Sequence, residues 1–95
     1  MKCYLVTYDL NKPGQDYDKI RNAIVRVCNG ELISFWQSTY LIRSPLETAS
    51  EVMEFLNDAL DDNDKVIVFE VGLHFDAHLP TSEKDQVLRL LLKAD

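Results

Sequence analysis

Cys3-Tyr4-Leu5-Val6-Thr7-Tyr8 is the stretch on which the fold turns. Residues in a strand alternate between two faces, so Cys3, Leu5 and Thr7 share one side and Tyr4, Val6 and Tyr8 the other. Both sets are largely apolar, which predicts a central strand covered on each face. Asp9-Leu10-Asn11-Lys12-Pro13-Gly14 then breaks the run, because Pro13 fixes φ and Gly14 permits a positive one. Beyond the break, Asp16 suits an N-cap, and Tyr17, Ile20, Ala23, Ile24, Val27 and Cys28 recur on one helical face before Asn29-Gly30 ends it.

Further along, Glu31 to Phe35 and Thr39 to Arg43 are β-rich runs joined by Trp36-Gln37-Ser38, which suits a hairpin. Two capping boxes follow, Ser44-Pro45-Leu46-Glu47 and Thr48-Ala49-Ser50-Glu51. The second is read as the helix start, with Pro45 in the connecting loop and Ala49, Val52, Met53, Leu56 and Leu60 as the apolar stripe. Asp61-Asp62-Asn63-Asp64 closes that helix, and Lys65 to Val71 reads as another buried strand, closed by Gly72. A last helix is expected from about Ser82, carrying Val87, Leu88, Leu91 and Leu92.

This succession, β-α-β-β-α-β with a C-terminal extension over residues 73–95 ending in a helix, is the ferredoxin-like order. The expected fold is α+β: a single domain with its core in residues 1–72, an antiparallel sheet in the order 4-1-3-2, and two helices on one face. The other face needs cover from the extension or from a second subunit, so a homodimer is expected. At 95 residues, one core is the limit and a partner would improve its burial.

Charge bears on function. The net charge of −6, with ten Lys and Arg not concentrated in any stretch, does not support a nucleic-acid partner held by phosphate neutralisation. The start of the chain shows no charged leader with an apolar core, and nothing approaches a membrane span, so a cytoplasmic location and no membrane partner are expected. Cys3 and Cys28 are expected to be buried thiols.

The sheet order gathers Asp9, Gln37, Ser38, Thr39 and the turn of residues 61–64 on one rim, with Glu70 roughly 15 Å away along its strand. Asp9 has two readings from position alone: a cap on its own turn, or a metal ligand. Ser38 and Thr39 suit either turn formation or phosphate binding. His74 and His78 lack a third ligand, and Tyr17, Phe35, Trp36 and Tyr40 suit packing better than base stacking. No nucleophile triad, P-loop, dinucleotide fingerprint or zinc pattern is present.

Tyr4-Leu5-Val6-Thr7-Tyr8-Asp9-Leu10, the following Asn11-Lys12-Pro13-Gly14-Gln15-Asp16-Tyr17, Gln37-Ser38-Thr39-Tyr40-Leu41-Ile42 and Val66-Ile67-Val68-Phe69-Glu70-Val71 together resemble the small ferredoxin-like CRISPR-associated proteins of the second type, and more closely their SinR-like relatives. The resemblance covers most of residues 1–71. It implies a symmetric dimer in which two copies of Asp9 face each other and hold a divalent metal, Mg²⁺ being the fitting ion, for phosphodiester hydrolysis. It further implies an endoribonuclease, acting on RNA in preference to DNA, in antiviral defence, with Asn11, Ser38 and Thr39 as candidate substrate-binding residues. The alternative it carries is a non-catalytic dimeric adaptor or regulator built on the same fold. Two ionised carboxylates at about 4 Å would repel by roughly 4 kcal/mol at an effective dielectric of 20, a cost that a cation removes.

Overall fold

A computed structural model describes residues 1–10 and 17–93 of the chain. Their elements run β1 (Lys2–Asp9), α1 (Tyr17–Val27), β2 (Leu32–Trp36), β3 (Thr39–Ser44), α2 (Ala49–Asn57), β4 (Lys65–Val71) and α3 (Thr81–Lys93). The expected N-cap at Asp16 and the Asn11-Lys12-Pro13-Gly14 turn lie outside the described residues. The four strands form one antiparallel sheet ordered β2-β3-β1-β4, which counted from the β4 edge is 4-1-3-2. The chain is thus a small α+β protein with a four-stranded antiparallel sheet and three helices.

Local chemistry explains the boundaries. Gly30, after α1, has a φ of 76°, a left-handed conformation that costs glycine little. The second capping box marks the true start of α2: the Thr48 Oγ1 accepts the Glu51 N–H at 3.1 Å and itself donates to the Glu51 carboxylate at 3.2 Å. The first is a turn, in which the buried Ser44 Oγ accepts the Leu46 N–H at 3.2 Å and the Tyr4 hydroxyl donates to the Leu46 carbonyl at 2.6 Å.

β1 is central, and its two alternating sets enter two separate cores. Tyr4, Val6 and Tyr8 pack with Ile20, Ile24 and Val27 of α1, Val52 and Leu56 of α2, and Tyr40 and Ile42 of β3. Cys3, on the opposite face, packs with Leu41 and with Val87, Leu90 and Leu91 of α3, while Leu5, Ile33 and Phe35 lie against that cluster. Lys93 and Arg43 both reach the Glu31 carboxylate, at 3.2 and 2.9 Å, fastening the end of α3 beside the start of β2.

Three expectations need correction. β4 stands at the sheet edge, as the order 4-1-3-2 requires, but it is not buried: Val66 and Val68 pack partly on the helix-side core, whereas Ile67 and Phe69 are each 53% exposed on the other face. Its β-branched run signals strand but says nothing about how far either face is covered. In α3 the buried stripe is Val87, Leu90 and Leu91, while Leu88 and Leu92 point outward. The leucine run fits several helical phases, and the sheet selects one. Cys28 is only half-buried, just past the end of α1, while Cys3 is buried; both thiols are free. No helix among the described residues is long and apolar enough to cross a membrane.

Candidate functional site

Asp9 is the last residue of β1, and strand parity puts its side chain on the face of Cys3, Leu5 and Thr7. It is exposed there, with Lys65 as its cross-strand partner in β4. Among the described residues, the Asp9 carboxylate makes no hydrogen bond or ion pair. Whether it caps its own turn concerns amides at residues 11–16, outside the described residues.

Thr7 and Thr39 sit opposite each other between β1 and β3, one step inward from Asp9, and their hydroxyl oxygens lie 3.1 Å apart. Ser38 is held just beyond Thr39 because its carbonyl accepts the Tyr8 N–H at 3.0 Å. The neighbouring Gln37 carbonyl accepts the Tyr8 hydroxyl at 3.2 Å. The Tyr8 ring lies stacked against Tyr40, 6.2 Å between centroids, under the opposite face of the sheet. Burial, together with hydrogen bonding to Tyr40, raises its phenol well above the ordinary tyrosine value, so Tyr8 is a neutral support for this rim.

The ladder therefore brings Asp9, Ser38 and Thr39 to one end of the sheet. The acidic turn joins them, since it leads directly into Lys65; inside it, the Asp61 N–H donates to the Asp64 carboxylate at 2.9 Å. Asn11 lies outside the described residues. Glu70 is removed from the rim, paired across the strands with Tyr4 and lying 3.7 Å from the Lys2 ammonium. Among the described residues, no three His, Cys, Asp or Glu side chains gather as a metal-binding group, so an ion at Asp9 needs a second carboxylate from elsewhere.

Two features escaped the sequence reading. Lys65 stands opposite Asp9, a pairing that strand alternation alone does not register. The second is a groove of about 400 Å³ on the same face, floored by Leu5 and Leu41 and walled by Trp36, Phe75, His78 and Leu91. Its wall comes from residues 72–79, an irregular segment with no period to read. Its rim also depends on an irregularity in β2 between Ser34 and Trp36, which sets the 61% exposed Trp36 opposite Thr39.

α3 and the segment before it cover this face from Cys3 and Leu41 as far as the groove. Towards the Asp9 rim, Ile67, Phe69 and Trp36 remain exposed. The chain matches no protein-family model and no curated protein.

Proposed function

We propose that the protein has a ferredoxin-like fold, works in the cytoplasm as a homodimer, and hydrolyses phosphodiester bonds, in RNA rather than DNA, with divalent-metal assistance from a pair of Asp9 residues. The observation that carries this reading is Asp9's place: an exposed carboxylate at the end of the sheet face on which Ile67 and Phe69 of one edge strand and Trp36 of the other remain exposed. A second copy laid over that surface about a twofold axis covers these side chains and brings its own Asp9 into the same interface. The order of elements and strands, and the resemblance of the Tyr8-Asp9-Leu10 and Gln37-Ser38-Thr39 segments to the CRISPR-associated and SinR-like proteins, support the same reading.

Carboxylate oxygens are the ligands that Mg²⁺ prefers, and two Asp9 side chains supply them. The bound ion provides a hard Lewis acid for a phosphoryl oxygen and for a water. Ser38, at the end of the neighbouring hairpin, offers a hydroxyl to a phosphate and Lys65 a positive charge beside it, whereas Thr39 is buried with its hydroxyl against Thr7 and serves the rim as a support. Tyr8 keeps the hairpin carrying Ser38 in place.

A second reading, a dimeric adaptor without catalysis, is favoured by the acidity of this rim. Asp61, Asp62 and Asp64 adjoin Lys65, and a net charge of −6 opposes a polyanion. Cleavage of RNA and DNA by the parent and by Asp9→Asn, with and without Mg²⁺, separates the two. The enzyme reading expects Mg²⁺-dependent cleavage of RNA that the variant loses. No cleavage by the parent, or equal cleavage by both, leaves the adaptor.

A further inference from the structure

The hydrogen-bonding phase of the sheet shows which groups β4 presents to the outside. In an antiparallel ladder, the N–H and C=O of one residue point to the same side, and those of the next residue to the other. The Tyr8 N–H donates to the Ser38 carbonyl, so Tyr8 points towards β3, and Val6 and Tyr4 do the same. The next strand agrees: the Arg43 N–H donates to the Glu31 carbonyl on the β2 side, which turns the alternate residues Tyr40 and Ile42 towards β1. Cys3, Leu5 and Thr7 must then bond to β4, through their partners Val71, Phe69 and Ile67. Val66, Val68 and Glu70 therefore direct their N–H and C=O groups outward, in the plane of the sheet. Among the described residues, nothing pairs with them.

An edge of this kind is normally blunted by proline, by a bulge, by charged side chains, or by a strand too short to pair; β4 carries charge only near its ends, at Lys65 and Glu70. β4 has seven residues, contains no proline and pairs with β1 without a register shift. Three outward donor–acceptor pairs at alternate positions match one ligand chemistry, an extended polypeptide backbone. Charge then narrows the partner. Glu70 lies within the edge with its half-exposed carboxylate 3.7 Å from Lys2, Asp9 is the cross-strand neighbour of Lys65, and the acidic residues 61, 62 and 64 that precede the strand leave this edge acidic on balance. A second copy would add another −6, and stacking Ile67 on the other copy's Phe69 sets Glu70 against Val66 with no new ion pair.

We propose that the β4 edge is a strand-addition site for an extended, cationic segment of a partner protein, with its apolar residues beside Ile67 and Phe69 and its basic residues on the side of Glu70. The site adjoins the proposed dimer surface: the edge N–H and C=O groups lie in the sheet plane, whereas the apolar residues of an added strand rest beside the same Ile67 and Phe69 side chains that a second copy would cover.

The test uses the full chain and a short peptide of alternating lysine and valine, followed by amide hydrogen exchange. In the free chain the Val66, Val68 and Glu70 amides exchange quickly, and those of Ile67, Phe69 and Val71 slowly. Saturating peptide slows the first three by about tenfold or more and leaves the others unchanged. A peptide N-methylated at alternate positions on its bonding edge binds about tenfold more weakly, on the scale of one to two hydrogen bonds. Val68→Pro removes an outward N–H without touching the β1 ladder and weakens binding similarly; the methylated peptide keeps the test valid if that variant folds poorly. Equal binding of the methylated peptide, no binding at roughly millimolar peptide, or binding without slowing at the three amides overturns the proposal. So does a parent dimer that Val68→Pro turns into a monomer, which assigns the edge to a second copy. None of these outcomes depends on nuclease activity.

Discussion

The two faces of the sheet differ in how completely the chain covers them. On one, α1 and α2 close over Tyr4, Val6 and Tyr8, and Ile20, Ile24, Val52 and Leu56 are wholly buried. On the other, α3 closes over Cys3 and Leu41 but leaves Ile67 and Phe69 about half-exposed beside Asp9. The chain has spent two helices on one surface and a single helix, fastened by Glu31, on the other. Burial is what makes apolar substitutions costly, so the first face should govern stability and the uncovered part of the second should govern association.

The largest expected effect tests that division from the sealed side. Leu56→Ala removes a fully buried side chain and should cost about 3 kcal/mol in urea unfolding. Leu90→Ala, beneath the single helix, should cost less, about 2 kcal/mol, because solvent adjoins its cluster. Equal losses at the two positions would mean that the faces are equally well packed. Thr48→Ala, which deletes the cap of α2, should cost about 1 kcal/mol. Phe69→Thr, on the uncovered surface, should change the stability of a separated subunit by no more than about 0.5 kcal/mol while weakening self-association.

Acid sharpens the same comparison. Hydrogen bonds from Lys93, and then from Arg43, hold the Glu31 carboxyl below its ordinary value. The folded state thus binds this proton less readily than the unfolded one. The stabilisation is fully present above the unfolded carboxylate range and is lost as pH falls through the depressed folded value. Unfolding followed from neutral pH downward should show a small acid-dependent loss that Glu31→Gln removes. An unchanged acid slope in the variant would mean that Glu31 does not tie α3 to the sheet.

Much of this architecture is legible in the residues because periodicity and capping are local. Alternation in Cys3 to Tyr8 announces a strand covered on both sides, and Thr48 with Glu51 fixes the start of α2 to the residue. The cover that a strand receives is not local, even where its place at the sheet edge is expected. Lys65 to Val71 reads as buried because its composition matches a central strand, yet the edge position exposes Ile67 and Phe69. The phase of α3 was likewise hidden, since four leucines at 88, 90, 91 and 92 allow more than one buried stripe. Of the candidate site, strand order predicts the shared rim of Asp9, Ser38 and Thr39, and the ladder sets them there, while the metal role of Asp9 rests on the resemblance. Lys65 opposite Asp9, and the groove walled by residues 72–79, depend on register and on an irregular segment that carries no repeating pattern.

Sedimentation equilibrium of the parent and of Phe69→Lys, at micromolar chain concentration, bears most directly on the claim that a second copy covers the open part of the sheet. The account predicts twice the 11.0 kDa chain mass for the parent and a single-chain mass for the variant. A parent that stays at 11.0 kDa across the concentration range would contradict it, because no second Asp9 would then reach the site.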